Sequence, residues 1–119
     1  MAIQERFGVS MDTERMVAQF MDMVRVDSES GDEARFMAWL GPRLEEIGAQ
    51  VQLDAYGNLI ARLAAKNSSA GPILLSCHGD TVKPGKGIQP VLTDGVIRSA
   101  GDTVLGADDK AGIAEMLEA

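Results

Sequence analysis

The sequence is short of cysteine, histidine and aromatic residues, and each shortage narrows what the protein can be. Its 119 residues include one cysteine, Cys77, and one histidine, His78. A single cysteine cannot form an internal disulfide, so stability must come from burial or from metal, which fits a reducing cytoplasm. Because aromatic residues make up only 4% of the chain, the core must be built from aliphatic side chains and methionine.

Positive charge is also scarce, with 11 Lys and Arg against 18 Asp and Glu and a formal net charge of −7. A chain this acidic is a poor candidate for binding nucleic acid or an anionic membrane surface. The first ten residues contain Glu5, Arg6 and no apolar run, so they form neither a signal peptide nor a membrane span. We therefore expect a cytoplasmic protein with no nucleic-acid or membrane partner, and a loose leader at residues 1–9.

Two early segments place apolar residues at spacings of three and four, which predicts two amphipathic helices. The first begins near Ser10 and ends before Ser28. The second starts at a capping-box pattern in residues 30–33 and ends at Gly48, and Pro42 inside it should kink or split it. The apolar stripes are Met16, Val17, Phe20, Met21 and Val24, and then Phe36, Met37, Leu40, Leu44 and Ile47.

The rest of the chain reads as strands and one more helix. Alternating residues at 51–55 and 59–63 predict a hairpin, and Asp94-Gly95 predicts the turn of a second one. The continuous apolar run at residues 73–75 predicts an interior strand covered on both faces. A last helix is expected at residues 111–119. Together these elements predict an α/β fold with a mixed sheet flanked by helices.

His78 and Asp80 follow the apolar run, at the end of a strand where open α/β sheets place their sites. Residues two apart on an extended chain point to the same side. Asp80 could therefore accept one imidazole N–H and leave the other nitrogen free for a metal ion. Cys77 should face the opposite way, as a small core residue. The alternative is a polar strand exit without chemistry.

A pair of acids, Asp108 and Asp109, follows a glycine-rich stretch and precedes the last helix. Taken alone, such a pair could simply cap that helix. The small residues just before it would instead let a carboxylate sit deep enough to reach two metal ions. The glycine-rich stretch 79–87 only partly matches a phosphate loop, because its glycine spacing is wrong and no Ser or Thr closes it. Nucleotide binding is therefore not expected.

Two stretches resemble the M20 metallopeptidase family in its peptidase T form. Residues 78–82, His-Gly-Asp-Thr-Val, resemble the histidine–aspartate motif of that family. Residues 105–112, Leu-Gly-Ala-Asp-Asp-Lys-Ala-Gly, resemble its second metal motif. The resemblance extends over nearly the whole chain and includes residues 24–30 and 87–100.

The resemblance implies that residues 1–119 are the N-terminal portion of a zinc-dependent exopeptidase (phosphorylase/hydrolase-like) catalytic domain. It implies two divalent ions, with zinc as the expected metal for both. His78 would bind one ion and Asp108 would bridge the two. Asp80 is the candidate catalytic residue because it would orient His78, and a cis peptide bond would join Asp108 to Asp109. The implied reaction is hydrolysis of the N-terminal peptide bond of short peptides such as tripeptides, and a homodimer is left open.

The chain also departs from the family. Gly79 stands where a larger residue, often Met, is usual, which should loosen the end of the chain that carries His78. The lid or dimerisation domain, the catalytic glutamate pair, a further acidic ligand and a distal histidine have no counterpart here, and no stop signal precedes Ala119. We therefore expect a fragment that is inactive alone. The alternatives are another M20 amidohydrolase, such as an aminoacylase or deacylase, and a non-catalytic metal-binding or assembly module.

Overall fold

The two apolar stripes form two helices near the start of the chain. The computed structural model describes residue 8 and residues 10–119, so the leader expected at residues 1–9 lies outside the described residues except for Gly8. Helix α1 spans Thr13–Arg25 and helix α2 spans Ala34–Glu46. Asp12 caps α1, because its carboxylate accepts the Arg15 N–H at 2.9 Å. Gly48 ends the second segment in the left-handed conformation, at φ 92°.

The capping box expected before α2 is wrong. Glu33 precedes α2 without a side-chain capping bond, and its carboxylate accepts the Gly31 N–H at 2.7 Å instead. The Ser30 hydroxyl, which the pattern assigned to the cap, donates to Asp80. A capping serine accepts a backbone N–H through its oxygen, whereas the Ser30 side chain is turned to donate to a carboxylate 50 residues away.

Pro42 does not split α2, which runs continuously from Ala34 to Glu46 with Pro42 inside it. Proline removes one backbone donor, but most helical stability comes from packing of the apolar face. On that face Phe36 and Leu40 are buried in the core. Packing therefore outweighs the lost hydrogen bond.

Both predicted hairpins are confirmed. Strands β1 (Gln50–Leu53) and β2 (Leu59–Arg62) pair antiparallel, as do β3 (Pro90–Thr93) and β4 (Val96–Ser99). The turn between β3 and β4 has positive φ at both central residues, 51° at Asp94 and 76° at Gly95, which suits the twist of a two-residue hairpin.

The interior strand predicted at residues 73–75 is wrong, and so is the mixed sheet. The three side chains, Ile73, Leu74 and Leu75, are 86%, 91% and 55% exposed. An interior strand needs a neighbour on each edge, and none of the described residues pairs with this run. The described chain instead holds two separate two-stranded sheets and one isolated parallel bridge, between Glu29 and Thr81.

Helix α3 spans Ala107–Glu118 and packs against α1. The backbone of Asp108 and Asp109 is non-helical, so the regular helix starts at Lys110, close to the predicted position. None of the described helices is long and apolar enough to cross a bilayer. The buried apolar side chains of the described residues are Phe20, Met23, Val24, Phe36, Leu40, Ile88, Ile113 and Ala114.

Phe36 is the aromatic centre of this core, and its removal should be costly. It is fully buried, stacks on Trp39 with 5.9 Å between ring centroids, and lies 4.5 Å from the Lys110 ammonium. Phe36→Ala should lower the free energy of unfolding by about 3–5 kcal/mol, because it leaves a cavity. Urea unfolding followed by circular dichroism measures the change. The control is Tyr56→Ala, since Tyr56 is 95% exposed and should shift stability by no more than about 0.5 kcal/mol. Equal losses in the two variants would contradict this packing.

Candidate metal site

His78 and Asp80 face each other as their spacing predicts. The imidazole Nδ1 lies 3.0 Å from Asp80 Oδ1 and 3.1 Å from the Asp80 backbone oxygen. Both partners are acceptors, so Nδ1 carries the proton and donates it. When the imidazole is neutral, a proton held on Nδ1 puts the lone pair on Nε2, which is the form that binds a metal ion.

Asp108 meets the other side of the imidazole. Its Oδ1 lies 2.9 Å from His78 Nε2, although 30 residues separate the two. The Asp108 side chain is 96% exposed, so the pair opens to solvent. The peptide bond between Asp108 and Asp109 is cis, as the resemblance implied. The predicted convergence of His78, Asp80 and Asp108 is confirmed as geometry, while their chemical roles stay predictions.

Residues 26–30, which follow α1 and which we call the brace, hold the backbone of the His78 segment. The Thr81 N–H donates to the Ser28 carbonyl at 2.9 Å, and the Ser30 N–H donates to the Thr81 carbonyl at 3.1 Å. These two bonds set the parallel bridge in which Glu29 faces Thr81. The brace therefore fixes the path of the chain just after His78.

The two brace serines add side-chain bonds to the same segment. The buried Ser28 hydroxyl donates to the Gly79 carbonyl at 2.7 Å. The Ser30 hydroxyl donates to Asp80 Oδ2 and also lies 3.4 Å from the Thr81 carbonyl. The hydrogen bond from Ser30, followed by that from His78, holds the pKa of Asp80 below its usual range. Asp80 therefore stays an anion that can accept a hydrogen bond from the imidazole Nδ1–H.

Lys110 ties the Asp108 segment to the same brace, a role that was not predicted from the sequence. Lys110 is fully buried and its ammonium donates to the Val26 carbonyl at 2.8 Å. Burial lowers its pKa to about 8, although the charge of Asp27 opposes that shift. A signal was available, since Lys110 shares a helical face with the buried Ile113 and Ala114, at spacings of three and four.

The glycine-rich loop after Asp80 has acidic partners, which agrees with the rejection of a phosphate loop. The Gly85 N–H donates to the Glu29 carboxylate at 3.0 Å, and the Gly87 N–H donates to the Asp27 carboxylate at 2.8 Å. A phosphate in this loop would compete with two carboxylates for the same backbone donors.

Gly79 does not loosen the site, contrary to expectation. It is buried, and a Cβ built on it would lie 2.8 Å from the Met37 Cε and 2.9 Å from the Phe36 Cδ1. Side chains of α2 therefore fill the space that a larger residue would take. Cys77, which was expected to face away from His78, packs against the core as predicted, and burial, as the main cause, raises the pKa of its thiol.

The donors present fit part of a metal site. An imidazole nitrogen and a carboxylate oxygen are ligands that zinc takes, and a carboxylate behind the imidazole is the usual support. Catalytic zinc normally has three protein ligands. Within the described part of the chain, no three His, Cys, Asp or Glu side chains gather closely enough to hold an ion. His78 and Asp108 are therefore an incomplete ligand set.

Comparisons with known proteins point to peptidases. No family model matches the chain. An aminopeptidase PepT from Bacillus cereus superposes with a TM-score of 0.87 at 42% identity over 91% of this chain. A tripeptidase from Staphylococcus aureus gives 0.86 at 33% identity over the same share. Among curated sequences, the uncharacterized protein YqjE of Bacillus subtilis is 36% identical over 92% of this chain, and a Listeria monocytogenes peptidase T is 26% identical over 89%.

These matches cover only part of each relative. The chain spans 31% of the B. cereus and S. aureus structures, 31% of YqjE and 37% of the Listeria protein. The three helices and two small sheets thus match one portion of PepT-like aminopeptidases. At this coarse level the chain is similar to part of proteins named as peptidases.

The two carboxylates should raise the pKa of His78, and its being the only histidine makes the test unambiguous. Burial lowers this pKa, but hydrogen bonds to Asp108 and Asp80 outweigh it and place the pKa above the ordinary 6.5. The resulting ion pairs stabilise the fold fully below pH 6.5 and are lost as the pH rises through the raised pKa. An NMR titration of the imidazole should show the raised value, and Asp108→Asn should lower it. Asp94→Asn, in the β3–β4 turn, is the control. An unchanged pKa in Asp108→Asn would contradict the contact.

Proposed function

We propose that this chain supplies part of the active site of a metal-dependent aminopeptidase that hydrolyses the N-terminal bond of short peptides. The observation that carries the proposal is the imidazole of His78 held between two carboxylates, Asp80 on Nδ1 and Asp108 on Nε2. The similar structures named as an aminopeptidase and a tripeptidase support a peptide substrate.

Each side chain has a distinct task in this proposal. His78 would hold one divalent ion through Nε2, and Asp108 would bridge two such ions through its two oxygens. Bound zinc or a similar ion would supply an acidified water and polarise the scissile carbonyl. Asp80 would not bind an ion itself, and by accepting a hydrogen bond from Nδ1–H it would keep the Nε2 lone pair directed at the Asp108 side. Asp80 is thus a positioning residue within the site.

The chain alone should be inactive. A working site needs further ligands and a group that moves the proton, and general acid–base catalysis contributes roughly 100- to 10,000-fold. In the described residues, His78 and Asp108 gather no third metal-binding side chain. The chain spans 31% of the PepT structure, so the remaining ligands and the base are proposed to come from regions equivalent to the rest of that protein.

A segment swap tests the proposal directly. This chain replaces the matching 31% of the B. cereus aminopeptidase, and release of N-terminal amino acids from a tripeptide panel is measured with zinc, cobalt or manganese. The hybrid should be active, whereas the 119-residue chain assayed alone should release none. Asp80→Asn in the hybrid should cost about 10- to 100-fold, the usual effect of losing the partner of a metal-bound histidine.

The outcomes separate the competing functions. Asp94→Asn, in the exposed β3–β4 turn, is the matched control and should leave the hybrid's rate unchanged. A folded hybrid that hydrolyses N-acylated amino acids but no tripeptide would favour an aminoacylase-like amidohydrolase. A folded hybrid that binds metal without hydrolysing either would favour a non-catalytic module. Metal-dependent release by the chain alone, lost in His78→Ala, would refute the predicted inactivity.

A further inference from the structure

We propose that Ser30 is a positioning residue that aims the Asp80 carboxylate at His78, an inference that rests on the proposed metal-binding role of His78. The Ser30 hydroxyl donates to Asp80 Oδ2, while Asp80 Oδ1 lies 3.0 Å from His78 Nδ1. The carboxylate is therefore held at both oxygens, by the brace on one side and by the imidazole on the other.

The Asp80 carboxylate needs the hydrogen bond from Ser30 because few other contacts restrain it. The Asp80 side chain is 35% exposed, and its only side-chain partners among the described residues are Ser30 and His78. The terminal torsion of an aspartate is broad. Without the serine, the carboxylate could turn toward solvent and exchange the imidazole for water. The Nδ1 proton would then lose its fixed acceptor, and the Nε2 lone pair would lose its fixed direction.

The hydroxyl of Ser30 is separate from the bonds that hold the backbone together. Pairing of the brace with residue 81 uses the main chain of Ser28 and Ser30, and the buried hydroxyl bond belongs to Ser28. Ser30 itself is exposed. Its hydroxyl could also turn to the Thr81 carbonyl at 3.4 Å, but a hydrogen bond to a carboxylate is roughly twice as strong as one to a neutral acceptor.

The orientation of one residue by another explains why a serine stands at this place in the brace. Outer partners of a metal-bound histidine typically change metal affinity by about 10- to 100-fold. Ser30 acts one bond further out than Asp80, so the lower end of that range applies. Ser30→Ala should weaken zinc binding by about 10-fold. Ser30→Thr keeps the hydroxyl and should bind zinc with the affinity of the unmodified chain.

The test uses the intact chain and two readouts. Zinc affinity is measured by competition with a chromophoric chelator. Without metal, the Nδ1–H proton of the only imidazole is observed by NMR as a downfield, slowly exchanging resonance. Ser30→Ala should weaken zinc binding and broaden or abolish this resonance, and Ser30→Thr should recover both. Ser68→Ala is the control, since Ser68 lies in the exposed loop before residue 73, where its hydroxyl oxygen accepts the Ala70 N–H.

The two readouts distinguish failure of this inference from failure of the proposed function. If His78→Ala abolishes zinc binding while Ser30→Ala changes neither readout, the positioning role is wrong and the metal site stands. If the unmodified chain binds no zinc, the incomplete ligand set does not hold the ion without the rest of the enzyme, and the metal function is then decided by the segment swap. The metal-free Nδ1–H resonance still decides the role of Ser30. Loss of both readouts in Ser30→Ala without recovery in Ser30→Thr would overturn the inference.

Discussion

The parallel pairing of the brace with the segment after His78 is the contact on which the rest of the site depends. Two main-chain bonds, from Thr81 to Ser28 and from Ser30 to Thr81, set the register of the two segments. Shifting one segment by a single residue would reverse which side chains share a face. With the register fixed, Ser30 stands beside Asp80, and His78 points to the same side as Asp80. The placement of the imidazole is thus decided by backbone geometry before any charge interaction is considered.

The brace also joins the two halves of the candidate site. The backbone carbonyl of its first residue, Val26, accepts a hydrogen bond from the Lys110 ammonium at 2.8 Å. Lys110 lies two residues after Asp108. Burying an ammonium without a hydrogen bond costs free energy, so losing the bond to Val26 would destabilise the fold. The Phe36 ring, 4.5 Å away, adds a favourable face for the cation. The brace therefore holds the segments that carry both His78 and Asp108, whose side chains are in contact although 30 residues separate them in the sequence.

Sequence reasoning succeeded where local signals decide the structure. The β3–β4 turn at Asp94-Gly95 depends on two adjacent residues that both take positive φ. The meeting of His78 with Asp108 was predicted from resemblance, since no local pattern links them. The run at residues 73–75 was misread because an apolar segment becomes a buried strand only beside other strands, and the described residues supply none.

Other misreadings have the same origin in distant contacts. Ser30 looked like a helix cap, yet its hydroxyl serves Asp80. Lys110 was given no role from the sequence, yet it is buried beside the Phe36 ring. Gly79 looked like a weakness, yet side chains of α2 occupy the space beside it. In each case the decisive partner lies more than 25 residues away, beyond the reach of a pattern read along the chain.

The central claim is that His78 and Asp108 act on one ion as a unit, and a double-mutant cycle on zinc affinity tests it most directly. Affinity is measured for the unmodified chain, His78→Ala, Asp108→Asn and the double variant. If both side chains bind the same ion, the losses of zinc affinity in the two single variants should not add. The double variant should then bind zinc no more weakly than the single variant with the lower affinity. Losses that simply add would show that the two side chains act independently, and would contradict the site described here.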